Sequence, residues 1–306
     1  MLPDAAPAAG YCRTMTTQQI TLNDQRRLAY SEYGDRDGRP LFYFHGMPAS
    51  RLEAVLLEAA ASRLGLRIIA ADRPGFGHSD FQPGRRITDV IADVQQLATA
   101  LHLQRFSVIG LSGGCPYTLA CAWGLPEQVE RAIVMGGFGE FAVSDHADTL
   151  SAFARFSLRS AKRFPWLNQL FYGTVVAPLV RNNPQLLKRL QDKDACEPDR
   201  LIWEQPWVAE SFTASLREAF ASGGRGPAYE LQLLSSPWGF ALEEIRVPVS
   251  FWHGEQDDTA PLGMAREMQQ RIPGAQLQVL ATEGHLSLPV NYAEVILEAF
   301  QQNIGI

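Results

Sequence analysis

Ser112 lies in Gly110-Leu111-Ser112-Gly113-Gly114, between an apolar run at 105–109 and a helix-like run at 116–123. Small residues on either side allow a sharp strand-to-helix turn that holds the serine hydroxyl clear of the backbone. Such a hydroxyl is suited to attack on an acyl carbon. The chemistry also needs a base within hydrogen-bond reach, and a carboxylate to fix that base's tautomer. Among six histidines, His285 follows the last expected strand in Glu283-Gly284-His285. Asp257 ends His253-Gly254-Glu255-Gln256-Asp257, after the strand before it. Both loops should open on the sheet edge that carries Ser112. Asp258 competes for the acid role, and spacing from Gly254 favours Asp257.

The elements that must position these groups read as follows. Segments 19–22 and 27–33 flank Asn23-Asp24 and predict an opening β-hairpin. Short apolar runs at 41–44 and 66–71 predict strands, with an Ala/Leu/Glu-rich helix at 52–64 between them. Ile87, Val90, Ile91, Val94, Leu97, Ala98 and Leu101 recur at helical spacing. Strand 106–110, helix 116–124 and strand 131–135 continue an alternation that implies βαβ units and a mostly parallel sheet flanked by helices. From about Glu140 to Ile245 only helical and loop patterns occur. Strand 247–252, helix 261–272, strand 276–280 and a final helix then resume the alternation. The expected fold class is therefore α/β, with a core formed by 17–139 and 246–306 and an inserted helical cap at 140–245. The insertion should overhang the crevice where such sheets bind ligands.

Composition limits the alternatives. The chain has 306 residues, 46% hydrophobic and 20% charged, ordinary for a protein with a sizeable core. A net charge of −6 without a basic run argues against nucleic acid. No apolar stretch reaches the roughly 18 residues of a membrane span, so no stable membrane insertion is expected. Residues 1–16 read as a disordered Pro/Ala-rich tail without the features of a secretory signal, and Met15 is a second possible start. Cys12, Cys115, Cys121 and Cys196 show no pairing pattern and read as reduced thiols of a cytoplasmic protein. No His/Cys spacing suggests a metal.

The chain resembles the α/β-hydrolase family from about residue 17 to its end. The resemblance rests on His45-Gly46-Met47-Pro48, Asp72-Arg73-Pro74-Gly75-Phe76-Gly77-His78-Ser79, the Ser112 turn, His253-Gly254-Glu255-Gln256-Asp257 and Gly284-His285. The order Ser112, Asp257, His285 is also that family's order. The resemblance implies the α/β-hydrolase fold, with Ser112 as nucleophile, His285 as base and Asp257 as orienting acid. It implies neither metal nor organic cofactor. Charge developing on a substrate oxygen needs preorganised donors. Gly113 should give one N–H at a helix start and Met47 the other, whatever Met47's side chain does.

These readings predict a serine hydrolase of carboxylic esters of small, largely apolar molecules. His45, Phe141, Trp203 and Trp207 are the candidate substrate contacts, although His45 could equally shape its turn and the cap aromatics could equally form a cap core. An aminopeptidase or amidase of the proline-iminopeptidase kind is the main alternative. It would need cap acids for a substrate ammonium, with Glu140, Glu204 and Glu210 as candidates, yet the Ser-Gly-Gly turn departs from that group's Ser-Trp-Gly. A ligand receptor without turnover keeps the fold as well. Arg155, Arg159, Lys162 and Arg163 read as a solvated cap face, with a membrane-surface role as the alternative. The sequence is silent on oligomeric state.

Overall fold

The computed structural model describes residues 16–183 and 195–301. The expected tail at 1–16, including Cys12 and Met15, falls almost wholly outside them. Eight strands form one sheet in the order β1-β2-β4-β3-β5-β6-β7-β8. β1 (Gln18–Thr21) and β2 (Arg27–Gly34) make the opening hairpin, and β2 pairs antiparallel with β4 (Leu66–Ala71). β3 (Arg39–Phe44), β5 (Phe106–Leu111), β6 (Val129–Met135), β7 (Val249–Gly254) and β8 (Gln276–Leu280) run parallel with β4. The central strands are apolar throughout because helices cover both faces, and the register makes the two cores. Phe42, Val108 and Val134 join one layer, while Leu41, Ile109 and Ile133 join the other.

The segment read as a helix at 52–64 is a 3-10 turn, Arg51–Leu57, followed by the short α1, Glu58–Arg63. The buried Arg51 and Glu53 explain the change, because the tighter winding turns both charged side chains inward to polar partners. α2 (Val90–Ala100) and α3 (Cys115–Gly124) cover one face, α3 with eight buried residues. Between β6 and β7 the described residues are helical or irregular. They form α4 (Ala152–Arg163), α5 (Pro165–Phe171), a π-helical turn at Tyr172–Val176, α6 (Ala177–Asn182), α7 (Glu197–Trp203), α8 (Pro206–Ala219) and α9 (Arg225–Leu234). α10 (Leu262–Arg271), α11 (Ser287–Asn291) and α12 (Ala293–Glu298) complete the chain, the expected final helix being broken at Tyr292.

This helical insertion is joined to the core by buried polar contacts as well as by packing. Glu218 of α8 reaches Arg51 at 2.6 Å, and Ser215 accepts the N–H of Ser50 at 2.9 Å. Glu230 of α9 is completely buried between Arg73 and Arg85 of the core. Buried charge is tolerated when its partners neutralise it in place.

Candidate active site

Ser112 follows β5 directly and begins the turn into α3, with φ of +53°. A side chain in this left-handed region is strained, and such strain marks sites where geometry matters more than local comfort. Met135 pairs with Leu111 in the sheet, so Gly136, the next residue, stands one strand away from Ser112, about 5 Å. Gly136 also has positive φ, +49°, and a methyl there would lie 3.0 Å from His285 Nδ1 and 3.2 Å from Asp257 Oδ2. Only glycine leaves room for the imidazole to stand beside the serine's strand. Ser112, His285 and Asp257 thus lie along one sheet edge, past the carboxyl ends of β5, β8 and β7.

Asp257 Oδ2 holds His285 Nδ1 at 2.7 Å, and its Oδ1 accepts the N–H groups of Thr259 and Ala260 at 2.9 and 2.8 Å. The carboxylate is buried and fixed on both oxygens, leaving His285 Nε2 as the open ring nitrogen. Burial pushes the His285 imidazole towards neutrality. The Asp257 carboxylate outweighs it by charge and hydrogen bond, with Asp199 and Glu53 adding to it, and the net shift is upward. Burial likewise raises Asp257, but the facing imidazole holds it below the usual carboxylate value. Asp258 is exposed and makes a 3.3 Å contact with the Thr259 hydroxyl. His253 gives Nε2 to the Ala260 carbonyl at 2.9 Å and shapes the Asp257 loop.

The His45-Gly46-Met47-Pro48 turn lies over the serine. A methyl on Gly46 would lie 3.6 Å from Ser112 Cβ, and one on Gly113 would lie 3.2 Å from Met47 N. Gly46 donates its own N–H to Glu53 Oε2 at 2.7 Å, and Pro48 has none, so the turn presents the Met47 N–H towards Gly113. Tyr43 OH also donates to Glu53 at 2.8 Å. Burial raises the Glu53 carboxyl above its ordinary range against these bonds. Arg73 braces the turn from below, donating to His45 O and, at 2.9 Å, to Gly46 O. The Met47 side chain is not idle. It packs against two apolar clusters shared by the core and the insertion, one with Phe76, Leu216 and Phe220 and one with Leu150, Leu158 and Met264.

His45 is fully buried with both ring nitrogens engaged, by Gly46 O at 2.9 Å and Arg73 N at 3.3 Å, so it shapes the turn. Phe141 packs beside Leu150, Leu158 and Met264. Trp203 is buried edge-on to Phe212 at 4.6 Å. Trp207 donates to Gln205 at 2.9 Å and packs beside Ile202, Val208 and Val290. Of these three, Trp203 through Phe212 and Trp207 through Val208 and Val290 reach the lining of the cleft beside the His285 loop, and Phe141 does not. That cleft runs between α8 and the His285 loop and is walled by Leu56, Val208, Phe212, Leu286 and Val290, with Glu53 and Ser211 at its edge.

Two insertion acids escaped the sequence reading. Asp199 of α7 is 3% exposed and accepts three backbone N–H groups, from His285 and Leu286 at 3.0 Å and from Ser287 at 2.8 Å. It holds the loop that carries the imidazole. Glu230 accepts from Arg85 and, at 2.9 Å, from Tyr117 OH, and lies 2.8 Å from Arg73 Nε as an ion pair. It grips the arginine that braces the Met47 turn. Cys196, Asp199 and Asp258 approach one another within 4.8 Å, but the Asp199 oxygens are already taken by these N–H groups.

A mostly parallel eight-stranded sheet, a serine on a strained turn after its fifth strand, and a paired acid and histidine after the last two define a class. Residues 39–292 match the family model of the α/β hydrolase fold, and the chain belongs to that family. Its relatives include a proline iminopeptidase of Xylella fastidiosa (strain 9a5c), 26% identical over 305 residues, covering 87% of this chain and 89% of that one. A non-heme chloroperoxidase of Streptomyces lividans is 34% identical over 119 residues, 38% of this chain and 43% of that one. Among solved structures, an esterase from Exiguobacterium antarcticum superposes with a TM-score of 0.70 at 19% identity, covering 94% of this chain and all, 100%, of that one. No described helix is long and apolar enough to cross a membrane.

Proposed function

We propose that this hydrolase cleaves carboxylic esters of small, largely apolar molecules through an acyl-enzyme on Ser112. The observation that carries the reading is the 2.7 Å pair of His285 and Asp257 against Gly136, on the sheet edge that also carries a serine held at positive φ. In the first step His285 Nε2 takes the hydroxyl proton as Ser112 Oγ bonds to the acyl carbon. The carbonyl oxygen gains charge between the N–H groups of Met47 and Gly113, the latter at a helix start where the backbone dipole assists. The imidazolium, balanced by Asp257, passes its proton to the leaving alcohol as the C–O bond breaks. Water, deprotonated by the same nitrogen, then attacks the acyl carbon and frees the acid and Ser112. The insertion acts as a cap, and the surfaces it presents beside Leu286, from Val208 and Phe212, are apolar.

A second reading, an aminopeptidase of the proline-iminopeptidase kind, is favoured by the near full-length relatives of that name. Such an enzyme needs a free acid for the substrate ammonium. Glu140 accepts the Trp238 N–H and lies 3.8 Å from Arg271, Glu204 and Glu210 are exposed, and Glu230 is held by two arginines. The engagement of Glu140 and Glu230 favours esters, and Glu204 and Glu210 stay the candidates for an ammonium. Intact-mass analysis after fluorophosphonate treatment tests the nucleophile: one adduct is expected, lost in Ser112→Ala, and its persistence in that variant would overturn the assignment. Faster turnover of proline arylamides than of matched esters would instead establish the second reading.

A further inference from the structure

The corner between α4 and α5 carries an unusual surface. Phe164, Trp166, Leu167, Leu170 and Phe171 are 48%, 68%, 47%, 54% and 51% exposed, and Phe156 on α4 is 70% exposed. The α5 residues recur at positions i, i+1, i+4 and i+5, one face of a helix. The opposite side of α5 is committed, since Asn168 donates to Ala228 O at 3.1 Å and α9 packs against both α4 and α5. A monomer seldom leaves so large a contiguous apolar patch in water without an occupant.

Charge identifies the occupant. From Thr149 to Asn183 the chain holds five arginines and lysines and no aspartate or glutamate, although the whole protein carries a net charge of −6. Arg155 and Arg159 pair with Asp148, just before this stretch, while Lys162 and Arg163 are exposed beside the aromatics, and the Arg163 guanidinium sits 5.1 Å over the Phe164 ring. A second copy meeting this patch by two-fold symmetry would bring like-charged faces together. An anionic lipid surface does the reverse. Its headgroups attract the cations, while tryptophan, phenylalanine and leucine enter the headgroup–acyl boundary.

We propose that the α4–α5 corner docks the protein peripherally on an anionic lipid surface. The docked face belongs to the same helical layer as α9, whose Glu230 grips Arg73 below the Met47 turn. The inference does not depend on the reaction proposed above, and its test reads binding alone.

The test is co-sedimentation of the full chain with vesicles of phosphatidylcholine mixed with phosphatidylglycerol, against vesicles of phosphatidylcholine alone. Partition into the anionic vesicles should exceed that into neutral ones by at least about tenfold and fall as salt is added. Lys162→Glu with Arg163→Glu should weaken anionic binding by about fivefold for each positive charge removed. Trp166→Ser with Leu170→Ser should weaken it by about tenfold or more. Circular dichroism and melting must match the parent for either variant to count. Three results would overturn the proposal: no binding by folded protein, equal binding to both vesicle types, or a dimer in sedimentation velocity that Trp166→Ser with Leu170→Ser dissolves. The last would assign the face to a second copy.

Discussion

Removing the Asp199 carboxylate should disable His285 from a distance. In Asp199→Ala three buried N–H groups, those of His285, Leu286 and Ser287, lose their acceptor at once. A hydrogen bond to a charged group contributes about 1.5–3 kcal/mol, and a buried donor left bare costs about 1–3 kcal/mol. The three share one carboxylate and are not additive, so about 3–5 kcal/mol is the reasonable range for the loop. Asp199→Asn keeps one oxygen, able to serve Leu286 and Ser287, but turns an amide NH2 towards the His285 N–H. It should lose about one bond, roughly 1–2 kcal/mol. Were the whole perturbation felt at the imidazole, ester turnover would fall about tenfold in Asp199→Asn and about 10²–10⁴-fold in Asp199→Ala. The loss should appear in kcat and in the rate of fluorophosphonate labelling, with KM little changed. A purely architectural role would lower melting temperature without moving the pH profile. The account here requires a shift to lower pH as well, because Asp199 is one of the charges raising the His285 pKa. Wild-type labelling rate and pH profile in folded Asp199→Ala would refute this reasoning.

Other consequences can be measured directly. On the proposed mechanism His285 works only when neutral, and its pKa is displaced above the ordinary 6.5 or so. Activity should therefore rise with pH through that displaced value, and kcat/KM profiles should place the acid limb above pH 6.5 in the parent and lower in Asp257→Asn. Gly113→Ala should cost about 10²–10³ in kcat, because its methyl would come within 2.8 Å of Met47 Cβ and 3.2 Å of Met47 N; steady-state kinetics on a short ester would show it. Glu230→Gln leaves Arg73 and Arg85 buried without a counter-charge and should destabilise folding by about 3–5 kcal/mol in urea titrations. Met47→Ala opens space between two apolar clusters, and a loss near 2 kcal/mol is expected from the same titrations.

Much of the site was legible because its chemistry is written in short motifs. Ser112, Asp257 and His285 each follow a strand whose apolar run is obvious, and one parallel sheet brings such loops to one edge. The alternation of strands and helices was legible because the central strands are short apolar runs between loops and α2 carries a helical period. What escaped was set by tertiary partners. Arg51–Leu57 looks like the start of an ordinary helix until Arg51 and Glu53 are seen to turn inward. Asp199 and Glu230 look like surface acids on amphipathic helices, and only their approach to the His285 loop and to Arg73 reveals their work. No local pattern announces a carboxylate whose partners lie 86 residues further along the chain. The packing of the Met47 side chain was equally hidden, since its neighbours come from distant segments.

Glu230 and Asp199 have a consequence for how this protein could change over generations or in the laboratory. Each sits on the insertion, yet its partners are Arg73 and Arg85 or the His285 loop, on the other side of the boundary. A chimera given a foreign insertion would inherit two buried cations with no anion between them and a histidine loop without its acceptor. The helical part is therefore not an interchangeable attachment to a self-sufficient catalytic body. New specificity is more accessible through residues facing the cleft, such as Val208 or Phe212, than through exchange of the whole segment. Any transplant that works must carry both acids, or both arginines must be replaced with it.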